Sequence, residues 1–291
     1  MRDPVFEMES VTGSSYSARF RADADLDWFR GHFEGLPVLP GIAQVYFVTL
    51  ALGKISAAAG RDLRIAGFRQ VKFTFPMVPG DEAEIEVTAD EGQEELASRH
   101  GVLGGARGAR RRRVMMTDVV IGERFEEVMP QKYPMLMIDS LDSWEFDGAG
   151  PSLSGVCSYS AGRRFCTALS ADGSLPAWAL IEVMAQAVSA VMGNYYESRG
   201  KHTPVGLLIG VRRFDAGGIV SVPRLTDLKV SAASGFFDEA MAAFDCSVSG
   251  AEGSISASAK LIVCRPEKDG FTEMFSRPGR PAPDPALFHI V

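Results

Sequence analysis

Gly31-His32-Phe33-Glu34-Gly35-Leu36-Pro37-Val38-Leu39-Pro40-Gly41 runs directly into Ile42-Ala43-Gln44-Val45-Tyr46-Phe47-Val48-Thr49-Leu50-Ala51-Leu52-Gly53. The first segment is dense in glycine and proline and reads as a loop held by turns. The second is apolar on nearly every face and reads as a buried helix, with Gly53 and Gly60 as candidate stops. No charge occurs between Gly35 and Gly53. Pro37, Pro40 and Gly41 nevertheless break the first third of that stretch. The helical remainder falls short of the roughly 20 apolar residues a bilayer requires, so a core helix is expected rather than a membrane span.

Working outward, Val5 to Met8 and Tyr16 to Arg21 alternate as strands do, and Asp23 to Arg30 is a polar loop anchored by Trp28 and Phe29. Ile65 to Phe75 and Ala83 to Thr88 are further strands, separated by the turn at Pro76 to Asp81. His100 to Ala109 reads as a Gly-rich hairpin or loop, and Val114 to Ile121 as an apolar strand. The second half repeats this order. A turn at Met129 to Pro134 leads into Met135 to Asp139, and Leu153 to Tyr159 is a strand. A second apolar helix starts at Leu175-Pro176-Ala177-Trp178 and runs to about Tyr196. Strands follow at Val205 to Phe214, Leu225 to Ala232, Ala240 to Val248 and Ser254 to Val263. Leu39-Pro40-Gly41-Ile42-Ala43 thus aligns with Leu175-Pro176-Ala177-Trp178-Ala179 as a weak internal repeat. One long helix followed by antiparallel strands, twice over, predicts an α+β fold of two related halves. After Lys268, Pro278, Pro281, Pro283 and Pro285 predict an extended tail whose apolar last six residues dock on the surface.

The 291 residues are enough for about two domains. A net charge of −7 argues against generic nucleic-acid binding, while leaving room for a basic patch that meets an acidic partner. Cys157, Cys166, Cys246 and Cys264 contain no Cys-x-x-Cys pair and read as reduced thiols of a cytoplasmic protein. The four histidines lack metal-ligand spacing, so no metal site is expected. The N-terminus shows no signal-peptide pattern.

Three features could carry chemistry. His32 sits in a turn-held loop at the mouth of a buried helix, and its side chain titrates where a general base is useful. It could equally do no more than bond a backbone carbonyl. Gly41 opens the helix, where unpaired N–H groups and the dipole favour a polarised carbonyl, or it is an ordinary helix start. Glu182 is a lone carboxylate in the apolar run from Leu175 to Tyr196. A buried unpaired charge costs several kcal/mol, so this group should be protonated or paired, for instance with Arg212 or Arg213. The basic runs Arg110 to Arg113, Arg163-Arg164 and Arg212-Arg213 are solvated faces or docking points.

The segment Gly31 to Gly41 resembles the signature Gly-His-Phe-Pro-Gly-x-Pro-x-x-Pro-Gly of the 3-hydroxyacyl-acyl-carrier-protein dehydratases, with Glu34 in place of proline. Lys72-Phe73 with Val78-Pro79-Gly80-Asp81 is similar to a later strand and turn of that family. Met129-Pro130-Gln131-Lys132-Tyr133-Pro134-Met135-Leu136-Met137-Ile138-Asp139 resembles its Leu-Pro-His-Arg-Tyr-Pro-Phe-Leu-Leu-Val-Asp opening. Ile181-Glu182-Val183-Met184-Ala185-Gln186 resembles its catalytic-helix motif. Together the halves resemble the paired dehydratase-like proteins of aryl polyene biosynthesis, joined in one chain.

The resemblance implies a double hotdog packed as a pseudo-dimer: residues 1–123 supplying His32, residues 124–267 supplying Glu182, and the tail at 268–291. The family's carboxylate stands five residues after the glycine of Pro-Gly, and its histidine nine before. Counted from Gly41 these positions are Tyr46 and His32; counted from Ala177 they are Glu182 and Ala168. Each half therefore keeps what the other lost. One composite site of His32 and Glu182 is expected, with Ala168 and Tyr46 as its dead reciprocal. His32 would take a proton from C2 of a 3-hydroxyacyl thioester, Glu182 would protonate the leaving hydroxyl, and N–H groups near Gly35 and Gly41 would polarise the carbonyl. Phe33, Gly35, Pro40, Gly41, Tyr46 and Gln186 are the implied substrate-binding residues, and no cofactor is implied. Acyl carrier protein is the implied partner, docking on Arg110 and Arg111 or on Arg212 and Arg213, and further association of pseudo-dimers stays open. A hotdog thioesterase and a non-catalytic carrier-protein scaffold are the competing readings.

Overall fold

The computed structural model describes residues 3–60, 67–73, 75–88, 114–116, 120–121, 128–147, 152–163, 166, 168–238 and 240–276. In chain order they form β1 (Phe6–Thr12), β2 (Ser15–Arg21), α1 (Gly41–Ala59), β3 (Gly67–Lys72), β4 (Glu82–Thr88), β5 (Val114–Met116) and β6 (Val120–Ile121). The second half continues with β7 (Ser140–Asp147), β8 (Ser152–Ser160), β9 (Leu175–Pro176), α2 (Leu180–Glu197), β10 (Leu207–Asp215) and β11 (Ser221–Val222). β12 (Asp227–Phe237), β13 (Met241–Gly250), β14 (Ser256–Cys264) and α3 (Lys268–Phe275) complete it.

In each half a long helix lies against an antiparallel sheet, the hotdog arrangement. The second half is the fuller one. Its strands follow the order β10-β14-β13-β12-β8-β7, and their inward side chains alternate along each strand, as Leu228, Val230 and Ala232 do on β12. They wrap α2, whose Leu180, Ile181, Val183, Met184, Ala187, Val188, Ala190 and Val191 are all buried. Cys157, Cys166 and Cys246 lie in this core as free thiols, and burial pushes the Cys166 thiol up to about 11.

The first half is less enclosed. Its three-stranded sheet β1-β2-β4 covers one side of α1. Ile42, Ala43, Val45, Phe47, Ala51 and Ile55 are buried, but Gly53, Lys54 and the alanines of the last turn are exposed. The expected burial on nearly every face is therefore corrected to burial on one. The helix uses the second of its two candidate stops. It passes through Gly53 and stops at Gly60, whose φ of 65° ends it in the left-handed conformation. Its 19 residues meet the length and composition of a membrane span, a test that core helices also pass.

The halves are joined through the sheet. β3 of the first half pairs with β10 of the second, with Val71 opposite Val211 and Phe68 opposite Phe214. β5 and β6 pair with β7 at the other edge. Within the expected strand Val114 to Ile121 the described residues form β5 and β6, and residues 117–119 lie outside them. β7 has no counterpart among the expected strands, and Met135 to Asp139 forms no regular element.

The expected tail needs correction too. Residues 268–275 are a helix, and the prolines that suggested an extended chain all follow it. The docking assigned to the last six residues lies outside the described residues. Phe271 and Phe275 of α3 form a separate small core with Phe33, Leu36 and Val38 of the His32 loop and with Val205 and Leu207. Phe271→Ala should cost about 3–5 kcal/mol in a denaturant titration, the usual range for emptying a buried aromatic site. A loss below about 1 kcal/mol would mean that α3 does not anchor this loop.

Candidate active site

The loop before α1 presents His32 from three backbone restraints. Its N–H donates to the Phe29 carbonyl, its own carbonyl accepts from the Val38 N–H at 2.8 Å, and its ring Nδ1 lies 3.0 Å from the Val38 carbonyl oxygen. A carbonyl only accepts, so Nδ1 carries the proton and Nε2 keeps its lone pair. The ring stacks on Phe33 with centroids 4.0 Å apart. Burial disfavours the imidazolium and lowers the His32 pKa below its ordinary 6.5, although the nearby Glu182 carboxylate opposes this. The result is a neutral base at neutral pH.

Gly31 brings the second half against this loop. With φ of 78° it occupies a conformation that L side chains rarely adopt, and a Cβ there would overlap the Lys132 carbonyl oxygen. The Lys132 N–H donates to the Gly31 carbonyl at 2.8 Å. From Lys132 the chain passes through Pro134 to Met135 and Met137, and Gln186 of α2 clamps it there. The Gln186 Nε2 donates to the Met135 carbonyl at 2.7 Å and to Glu182 Oε1 at 3.0 Å, and its Oε1 accepts from the Met137 N–H at 2.7 Å. Glu182, one turn before Gln186, is 4% exposed and points one carboxylate oxygen at this amide. The partner of the buried carboxylate is thus an amide. Arg212 and Arg213, the alternative read from sequence, are exposed on β10.

His32 and Glu182 line one cavity. Its walls include Phe33, Val38, Leu39 and Gly41 from the loop and helix start, Phe73 from the end of β3, and Ala185, Val188, Ser189, Met192 and Tyr196 along α2. Glu182 to Tyr196 spans about 21 Å of helix at 1.5 Å per residue. The far end is walled by Arg265 and by Met274 of α3. Gly41 opens α1 with no side-chain cap, and a first-turn N–H has no partner within its own helix. A thioester carbonyl near Gly41 would therefore meet donors and the positive end of a dipole.

Of the residues read from sequence as substrate-binding, Phe33 and Gly41 line this cavity with His32 and Glu182, whereas Gly35, Pro40, Tyr46 and Gln186 do not. Gly35 sits exposed at the tip of the turn closed by Phe33 and Leu36. Pro40 is buried as the N-cap of α1. Gln186 acts from behind Glu182. Tyr46 belongs to the reciprocal position: its ring centroid lies 5.6 Å from that of Trp28 and 5.8 Å from that of Trp178, and its hydroxyl donates to Asp3 at 2.7 Å. Pro40 and Pro176 share the same backbone angles, φ −56° with ψ 144° and 140°, as the repeat requires. At the reciprocal helix start, however, the Ala177 N–H is taken by the Val220 carbonyl at 2.9 Å. The position of Ala168 is buried. Arg110 and Arg111 lie outside the described residues. Sequence reading assigned no site role to Gln131, which is buried in the cavity wall. Its signal was its place in a motif where the family has histidine.

A family model described as ApeP dehydratase matches residues 123–276, a little over half of the chain. The chain belongs to the ApeP-like dehydratase family. A second model, ApeI dehydratase, matches residues 8–102. Among curated relatives, the 3-hydroxyacyl-[acyl-carrier-protein] dehydratase FabZ of Oenococcus oeni is 32% identical over 35% of this chain and 75% of its own length. That of Pelotomaculum thermopropionicum is 36% identical over 30% of this chain and 59% of its own length. The dehydratase domain of the polyketide PpsC from Mycobacterium tuberculosis superposes with a TM-score of 0.52 at 12% identity, covering 91% of this chain and 98% of that domain. That likeness shows the double hotdog fold.

The environment of His32 predicts that its ring titrates below 6.5 by NMR, assigned by comparison with His32→Ala. Gln186→Leu, by exposing the Glu182 carboxylate to other partners, should move that titration. A His32 pKa at or above 6.5 in the intact protein would contradict the buried, neutral ring.

Proposed function

We propose that this chain removes water from 3-hydroxyacyl thioesters carried on acyl carrier protein, giving the trans-2-enoyl thioester, in fatty acid or aryl polyene type biosynthesis. The reaction runs at one composite site. The observation that carries this reading is that a histidine from one half and a carboxylic acid from the other face a single apolar cavity. Family membership supports the reaction class.

In this mechanism the thioester carbonyl lies against the start of α1, where backbone donors stabilise the enolate that forms when C2 loses a proton. His32 Nε2 is the base, because its Nδ1 is committed to the Val38 carbonyl. Glu182, oriented by Gln186, delivers a proton to the C3 hydroxyl as the C3–O bond breaks. The C2–H electron pair becomes the new double bond, and the hydroxyl leaves as water. The imidazolium then passes its proton to Glu182, directly or through water, restoring both groups. The wall along α2 holds the acyl chain.

His32→Ala and Glu182→Gln should each lower kcat about 10²–10⁴-fold, the range for removing a general acid or base. Full activity in Glu182→Gln would sink the composite site, and free acid released in place of enoyl thioester would identify a thioesterase. Because the His32 pKa is lowered, the base stays neutral below pH 6.5, so kcat/KM should hold to a lower pH than a free histidine would allow and fall when the ring protonates.

Acyl carrier protein is acidic, and Arg212 and Arg213 present two exposed cations on β10, the strand that also contributes Leu208 and Ile209 to the cavity. Arg212→Glu with Arg213→Glu should raise KM about tenfold for a carrier-bound substrate and leave a pantetheine thioester unaffected. An equal effect on both substrates would remove these arginines from docking.

A further inference from the structure

Gln131 is 6% exposed and lines the cavity that contains His32 and Glu182. Its side-chain Oε1 is buried and has no hydrogen-bond partner among the described residues. Buried side-chain oxygens are normally paired, and one left unpaired is costly, so an exception within a binding cavity calls for a ligand that donates. The backbone beside Gln131 is anchored. The next residue, Lys132, is fixed by its N–H to the Gly31 carbonyl, and its own carbonyl accepts from the Met135 and Leu136 N–H groups at 2.8 and 3.0 Å.

We infer that Gln131 is a specificity-determining residue whose side-chain oxygen accepts a hydrogen bond from the 3-hydroxyl of the substrate. The inference rests on the dehydratase reading and deepens it. At the reacting end of a 3-hydroxyacyl thioester the carbonyl and sulfur only accept, and the hydroxyl is the one donor. In this arrangement the hydroxyl donates a hydrogen bond to Gln131 Oε1 and turns a lone pair toward Glu182, the geometry in which the acid can protonate it. Gln131 itself gains and loses no proton. Elimination carries the donor away as water, so the enoyl product leaves the amide oxygen unpaired again. The same residue therefore favours substrate over product in the cavity.

The test is equilibrium binding, by calorimetry on the full chain, of two amide-linked, unreactive probes: 3-hydroxyoctanoyl and octanoyl pantetheine. Wild-type protein should prefer the hydroxylated probe about tenfold. Gln131→Met, which keeps the length of the side chain but has no such acceptor, should lose that preference while binding the octanoyl probe as before. No preference in the wild-type protein would overturn the assignment without recourse to any variant. Equal weakening of both probes in Gln131→Met would also overturn it, by placing the amide against the shared pantetheine arm. Turnover separates this inference from the one beneath it. A wild-type protein that prefers the hydroxylated probe yet dehydrates no thioester would overturn the dehydration reading and uphold the role of Gln131. Dehydration with the preference intact in Gln131→Met would overturn the role of Gln131 alone.

Discussion

The backbone contact between Gly31 and Lys132 is the constraint on which the proposed composite site depends. It brings the loop that carries His32 against the segment that the second half clamps with Gln186, and Gln186 in turn holds Glu182. A continuous hydrogen-bonded path therefore runs from base to acid across the boundary between the halves. No side chain larger than hydrogen fits at position 31, since both the positive φ and the Lys132 carbonyl exclude it. Main-chain atoms thus join the halves beside His32, and the Gln186 side-chain amide carries the path on to Glu182.

The asymmetry of the molecule follows the same logic. The two helix starts are unequal, one opening on the cavity of His32 and Glu182 and the other holding the half-buried ring of Tyr46. Tyr46 stands between the rings of Trp28 and Trp178, and the Ala177 N–H is spent on Val220. Aromatic packing of this kind stabilises the interface between the halves, while the remaining cavity keeps polar groups at one end and an apolar wall along α2.

Much of this was legible in the chain itself. The turn-forming run from Gly31 to Gly41, the apolar helix after it and the shifted copy at Leu175 specify two helices backed by strands, because local backbone preferences and hydrophobic periodicity act over a few residues. The pairing of His32 with Glu182 came from the family motif that the two halves resemble, not from the spacing of this chain alone. Less legible were the features that depend on what approaches from elsewhere. Residues 268–275 are followed by prolines and were read as tail, yet Phe271 and Phe275 find Phe33, Leu36 and Val38 and form a helix on them. Gln186 read as a residue of the binding surface, but its amide faces Met135, Met137 and Glu182.

By itself the sequence determined the α+β class, the internal repeat, and which half kept a histidine and which a carboxylic acid, since these depend on residue type and spacing alone. Tertiary structure decided that the two groups share one cavity, that the Nε2 of His32 is the nitrogen left free, and that Gln131 lies unpaired in its wall. The shared cavity depends on segments 150 residues apart, which meet only once β3 has paired with β10, and the free nitrogen depends on the loop that folds His32 back onto Val38.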